Sequence, residues 1–382
     1  MTFKRFDSRV LLSPPHMGGE EKKFIDRAFT ENWIVPLGPN VAEFEKNMIR
    51  YLEKENLYAV AMTSGTAAIH IALKLLNVQP GEEIFCSSAT FIATANPILY
   101  EKAVPVFVDS EMKTWNICPE SLLKAIEAKK RTGKIPRILI SVDLFGMSAE
   151  YEQIEAICKQ YNIQIIEDSA EALGSSYKGK KCGTFGKYGI LSFNGNKIIT
   201  TSGGGMLLLH SKEEAEKAVF LITQARDNAP YYLHSEIGYN YRLSNICAGI
   251  GIGQLNVLDQ RVKSRRANFA HYQEALKSTP LSFTDDPQDF FSNHWLTTAL
   301  IDPKSNKRPT DLINLLESYN IEVRHVWKPL HTQPVFKDNE FFTVHAKPIA
   351  ERIFNEGICL PSGTKLDPET LNAICQIIKS AF

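Results

Sequence analysis

Apolar positions along the chain alternate between two spacings. In GEEKKFIDRAFTENW, apolar residues at 24, 25, 28 and 29 recur at helical spacing and predict an amphipathic helix, the one helix expected before about residue 50. VPLGP after it reads as a turn-rich loop. SGTAAIHIALKLLNV carries an apolar stripe at 68, 71, 72, 75 and 76, a second helix whose start Ser64 or Thr66 can cap. From 84 to 185, short runs rich in Ile, Val and Phe (IFCSSATFIA, VPVFVD, RILISVDLF and IQIIED) predict buried strands. SLLKAIEAKK and AEYEQIEAICKQY are the helices between some of them. GILSFN and GGMLLL add two strands, 213–226 a helix, and 245–276 a long helix. Beyond it come HWLTTALID (strand), PTDLINLLESYN (helix), IEVRHVW (strand) and DPETLNAICQIIKSA (helix).

Strands alternating with helices imply crossover connections and a mostly parallel sheet. The expected fold is therefore α/β: a large domain over residues 1–255 and a smaller α+β domain over 256–382, which the N-terminal segment can join. The 382 residues, 44% hydrophobic, suffice for two such domains. Charge alters the picture mainly by exclusion. With 43 basic and 43 acidic residues, nothing points to nucleic acid or to a membrane surface. No signal-like apolar core opens the chain and no run is long enough to span a bilayer. The seven cysteines form no C-x-x-C pair, and the nine histidines no H-E-x-x-H, so no metal site is expected. An odd number of scattered cysteines fits free thiols in a reducing cytoplasm.

Four segments carry candidate chemistry. In SGTAAIH, Gly65 and Thr66 open a helix, where free amides and the helix dipole suit a phosphate; a plain N-cap suits the same residues. In IIEDSAEALG, Asp168 ends an apolar strand, where ligands of parallel sheets bind. A carboxylate there can pair with a protonated ring nitrogen, or simply cap the next helix. In GILSFNGNKIITTSGGGM, Lys197 follows a strand by a short polar turn and precedes Ile198 and Ile199. Desolvation makes such an amine nucleophilic toward an aldehyde. Ser192 and Asn194 are candidate phosphate donors, and Gly203-Gly204-Gly205 allows close backbone approach. In SSATFIATANP, Phe91 is a strand-end aromatic that can stack on a flat ring or belong to the core.

The order SGTAAIH, ATFIATANP, EDSAEALG, SFNGNK, GYNYRLSN resembles the sugar aminotransferases of the DegT/DnrJ/EryC1/StrS type, from about residue 10 to the C-terminus. The resemblance implies fold type I of the pyridoxal-phosphate enzymes, the aspartate-aminotransferase fold. By it, Lys197 is the Schiff-base lysine and proton shuttle, Asp168 the partner of the pyridine nitrogen, and Phe91 the ring-stacking residue. Gly65, Thr66 and Ser192 hold the phosphate. Asn240, in GYNYRLSN, reaches the cofactor phosphate of the partner subunit, which makes the expected assembly a homodimer with shared sites. Glu171 lies beside the cofactor where many members carry Gln or His.

LSPPHMGGEE, ENWIVPLGPNV, HVWKPLH and GICLPSG further resemble enzymes that aminate a UDP-linked 4-keto-6-deoxy N-acetylglucosamine on bacillosamine-type routes. By that resemblance His16, Met17, Trp33, Trp327, Lys328 and His331 are candidate substrate contacts. Trp33 and Trp327 equally suit packing at the domain junction, and Arg226, Arg242 and Lys328 suit either a diphosphate or ion pairs. The implied reaction is ping-pong: L-glutamate gives its amino group to pyridoxal 5'-phosphate, leaving pyridoxamine phosphate, which aminates the sugar at C4. Alternatives are a sugar 3-aminotransferase, a 3-dehydratase (which carries His where Lys197 stands) and a non-catalytic regulator that binds the cofactor.

Overall fold

The structure, a computed structural model, describes residues 3–382. Its centre is an eight-stranded sheet, from edge to edge Tyr58–Met62, Gly205–Leu209, Tyr188–Ser192, Gln164–Asp168, Ile138–Val142, Glu83–Ser87, Val104–Val108 and Phe341–Phe342. Only Gly205–Leu209 runs against the others, so the sheet is mostly parallel, as the alternation predicts. Helices Gly65–Leu75 and Lys212–Ile222 cover one face with Ile69, Ile71, Leu73, Leu221 and Ile222. Pro119–Arg131 and Tyr151–Gln160 cover the other with Leu122, Ile126 and Ile154.

A second sheet of four antiparallel-paired strands runs Leu281–Phe283, Thr297–Ile301, Gly357–Leu360 and Arg324–His325. It packs its own core with helices Leu258–Leu276, Pro309–Ser318 and Pro368–Lys379. The N-terminal segment lies along it: Val10 bridges Ile321, and the Ser362 amide donates to the Leu12 carbonyl at 2.8 Å. No helix among the described residues is long and apolar enough to cross a membrane, and all seven cysteines are free.

Several expectations need correction. Two helices, not one, precede residue 55: Glu21–Thr30 and Pro39–Leu52, the second burying Val41, Phe44, Met48 and Leu52. The strand Tyr58–Met62 is likewise additional. The long helix is two, Asn245–Leu255 and Leu258–Leu276, broken at Asn256 and Val257. The first of these runs against Phe24 and Phe44 so closely that a methyl on Gly251 would fall 2.8 Å from the Phe44 ring. The break redirects the chain toward the smaller sheet. IFCSSATFIA is a strand only to Ser87, and RILISVDLF only to Val142. Their neighbours Val104–Val108 and Gln164–Asp168 stop at the same level, so the ladder has no partner beyond it.

Candidate active site

The carboxyl ends of the parallel strands open into a cavity of about 210 Å³. Thr63 to Thr66 follow the strand Tyr58–Met62, Thr90 to Thr94 follow Glu83–Ser87, and Val142, Asp168 and Ser192 each end a strand. Every parallel strand that meets the cavity contributes at its C-terminal tip, the usual ligand edge of such sheets, and the antiparallel strand meets it through Gly203 and Gly204 just before its start.

One end of the cavity is built for an anion. Ser64 caps helix Gly65–Leu75, its Oγ accepting the Ala67 amide at 3.1 Å. The amides of Gly65 and Thr66 have no acceptor inside the helix and sit at its positive end. Gly65 leaves the space a side chain would fill: a Cβ there would lie 3.3 Å from the Ser192 Cβ. Gly205 lets the antiparallel strand touch the helix start, since its Cβ would fall 2.2 Å from the Ser64 carbonyl carbon. Of the glycine run, Gly205 serves close approach at the helix start, whereas Gly204 packs on Thr201 and Gly203 faces open space.

Asp168 lies along the wall, buried. Its Oδ2 accepts the Thr94 hydroxyl at 2.7 Å and its Oδ1 the Ala170 amide at 3.2 Å. Burial pushes its carboxyl up from the ordinary range; Thr94, Ala170 and the Lys197 charge pull back. No helix starts at Ala170, so Asp168 is not a helix cap. Instead it faces the cavity as a buried carboxylate with room for a cationic partner.

Lys197 closes the far side. Its amide donates to the Asn194 carbonyl at 3.0 Å, making a tight turn after Ser192, and its side chain is only 12% exposed. The ammonium lies 4.2 Å from the Trp295 ring centroid and donates to Glu171 Oε1 at 3.4 Å. The Trp327 indole donates to the same oxygen at 3.3 Å, and the Phe145 amide to Oε2 at 2.8 Å. Burial pushes the Glu171 carboxyl up, while the neighbouring Lys197 charge holds it down. Phe145, held at φ 53°, is stacked between Trp295 and Trp327.

Phe91 also lines the cavity, though not as a strand end. It precedes a short 3₁₀ turn, is 51% exposed and tilts against Trp327 with centroids 5.3 Å apart. The cavity therefore gathers Gly65, Thr66, Phe91, Asp168, Glu171, Ser192, Asn194, Lys197 and Trp327. It does not gather the others. Asn240 is exposed and bridges Thr223. Met17, Trp33 and Lys328 are exposed outside it. The His16 ring contacts Thr364 and Arg261. His331 has both ring nitrogens engaged, by Ser88 at 2.6 Å and Glu351 at 3.2 Å, and stacks on Phe341. Sequence reasoning missed Thr94 and Trp295. Thr94 lies inside ATFIATANP, but nothing local marks either residue as a partner of Asp168 or Lys197.

Beneath the wall, Asp143 and Glu167 share the Ser169 hydroxyl, at 2.5 and 3.0 Å, both fully buried. Burial, then the Glu167 charge, push the Asp143 carboxyl well up from its ordinary range. In the unfolded chain an aspartate titrates at about 4. This contribution to stability is full below that pH and is lost as pH rises through the raised folded value. Asp143→Asn has no proton there to lose. Its melting temperature is expected to fall less than that of wild type as pH rises above the ordinary aspartate range; parallel melting curves would contradict a raised Asp143 carboxyl.

A mostly parallel sheet with an amine, a buried carboxylate and an anion-binding helix start around one cavity defines a fold type I pyridoxal-phosphate enzyme. The residues fit that cofactor: Gly65 leaves a cradle for its phosphate, and Asp168 lacks a full counter-charge. Residues 15–379 match the DegT/DnrJ/EryC1/StrS aminotransferase family, and the chain belongs to it. It is 50% identical over 377 residues to EpsN of Bacillus subtilis (strain 168), named for a pyridoxal phosphate-dependent aminotransferase, covering 98% of this chain and 96% of that one. It is 34% identical to the GDP-perosamine synthase of Escherichia coli O157:H7, covering 96% and 97%. A solved DegT DnrJ EryC1 StrS aminotransferase from Brucella abortus superposes with a TM-score of 0.87 at 29% identity, covering 95% of each chain. The cofactor is pyridoxal phosphate and the reaction class is amino transfer.

Proposed function

We propose that this sugar aminotransferase moves the amino group of L-glutamate, in two half-reactions, to C4 of a UDP-linked 4-keto-6-deoxy-2-acetamido sugar. The observation that carries the amino-transfer chemistry is the placement of Lys197 and Asp168 on one cavity whose opposite end is an anion-binding helix start. A nucleotide-linked sugar is supported by the name of the GDP-perosamine synthase relative; the UDP nucleotide, the 2-acetamido group and C4 are supported by the motif resemblance alone.

When bound, pyridoxal phosphate would supply an electron sink for the pair left when a proton leaves the substrate carbon, and Asp168 would be the residue to pair with its ring nitrogen. The Gly65 and Thr66 amides and the Ser192 hydroxyl bind the phosphate, with Asn194 beside them. Phe91 and Glu171, which line the same cavity, would hold the ring. Lys197 would hold the cofactor through its amine and would be the base that carries the proton between the two reacting carbons. Its tether already puts the amine within reach of both, a proximity effect. Trp295 and Trp327 keep water from that amine.

The same reading takes residues 1–255 as the cofactor-binding domain and 256–382 as the smaller one. It places His16, Met17, Trp33, Trp327, Lys328 and His331 on the substrate side. Asn240, exposed here, completes the site of a second copy, so the working form is a homodimer. Incubation with glutamate and a panel of 4-keto and 3-keto nucleotide sugars, with products identified by mass and NMR, tests the proposal. The expected product is a UDP-linked 4-amino sugar. Amination at C3, or of another nucleotide's sugar, would overturn the substrate; no amine exchange with glutamate would leave a cofactor-binding regulator.

A further inference from the structure

Behind the Lys197 turn, residues from four parts of the chain close a ring of hydrogen bonds. The carbonyl of Asn196, the residue before Lys197, accepts the Ser13 hydroxyl at 2.6 Å and the Trp295 indole N–H at 2.7 Å. The Arg265 guanidinium donates with one nitrogen to Ser13 Oγ at 2.9 Å and with another to the Trp295 carbonyl. Ser13, Trp295 and Arg265 are all buried.

Arg265 is the unusual member. It is 2% exposed, and no carboxylate among the described residues acts on its charge. Its Nε has no partner. Burial, helped by the charge of Arg261 one turn away, pushes the guanidinium down to about 9. Burying a cation without a counter-ion is costly, so the position calls for something a hydrophobic residue would not provide. What the guanidinium provides is a rigid planar fork that fixes two acceptors relative to each other. Those acceptors are the two residues that hold the Asn196 carbonyl.

The ring meets Lys197 twice. Through Asn196 it sets the backbone from which the lysine departs. Through Trp295 it sets the surface over which the ammonium lies. A second tie flanks the lysine on its other side: Gln254 donates to the His16 carbonyl at 3.0 Å and accepts the Thr200 amide at 3.3 Å. The segment from Ser13 to His16 is thus fastened to the chain both before and after Lys197.

We infer that Arg265 and Ser13 are positioning residues for Lys197: they lock the Asn196–Trp295 frame that aims the amine into the cavity and tie its placement to the N-terminal segment 13–16. This rests on the role of Lys197 proposed above, and the test separates the two. Pyridoxal phosphate is added to full-length apoprotein of wild type, Ser13→Ala, Arg265→Lys and Lys197→Ala. Covalent attachment is followed by visible absorption, apoprotein melting is recorded, and kcat and KM are measured with glutamate as donor. Lysine keeps the charge of Arg265 but not its fork.

Ser13→Ala and Arg265→Lys are expected to slow attachment and lower kcat by about tenfold to a hundredfold, the effect of misplacing a reacting group by a fraction of an ångström to an ångström. KM for glutamate should stay within about twofold, because a displaced amine lowers the rate without loosening donor binding. Attachment and kcat at wild-type levels in Ser13→Ala would overturn the inference, as would a rise in KM alone. Should Arg265→Lys fail to fold, Ser13→Ala, which removes one hydroxyl, decides. Lys197→Ala that still attached the cofactor would sink the assignment of the lysine itself.

Discussion

Replacing Lys197 with alanine is expected to remove covalent cofactor attachment and to lower amino transfer by at least about 10⁴-fold. Two losses coincide. Among the described residues the amine is the only one lining the cavity, so no other side chain described there can take the aldehyde. It is also the group proposed to move the proton, and a positioned acid–base group alone contributes about 10² to 10⁴. The fold should survive, since Lys197 lies in a turn whose backbone bonds, Phe193 to Gly204 and Thr201 to Phe193, do not involve its side chain. Absorption spectra of the reconstituted variant and single-turnover assays with glutamate would check this; appreciable turnover would remove Lys197 from its role.

Asp168→Asn is expected to bind pyridoxal phosphate yet lose about 10² to 10³ in kcat, or about 3–4 kcal/mol, the scale of one preorganised electrostatic contact in a dry site. The amide keeps an oxygen for the Thr94 hydroxyl, so the packing around Thr90 and Thr94 should hold. What it lacks is the charge that keeps a ring nitrogen protonated. Burial already raises the carboxyl of Asp168, so its charge is under-compensated by the protein's own groups. A cationic ring would supply that compensation. Equal kcat in the variant, with equal cofactor affinity, would show that the carboxylate does not face the ring nitrogen.

Much of the site is written in short stretches of sequence, because strand tips and helix starts are local features. SGTAAIH places Gly65 and Thr66, IIEDS places Asp168 and SFNGNK places Lys197, each by its distance from the end of an apolar run. What escaped is what depends on distant partners. Thr94 reaches Asp168 across 74 residues and Ser13 reaches Asn196 across 183, and no spacing rule links such pairs. Phe91 was misplaced because IFCSSATFIA stays apolar past the point where its neighbours end, and strand length follows the ladder as well as the residue pattern. Helix Pro39–Leu52 did carry a signal, Pro at its first position and apolar residues at 41, 44, 48 and 52, though in a stretch that the VPLGP turn makes look like loop. Tyr58–Met62, with two alanines in five residues, resembles no strand pattern strongly.

The most direct test is chemical. The protein is incubated with pyridoxal phosphate, reduced with borohydride to fix any lysine–cofactor bond, digested and mapped by mass spectrometry. A single adduct on the peptide that contains Lys197 is the predicted result; an adduct on a different lysine, or none at all, would contradict it.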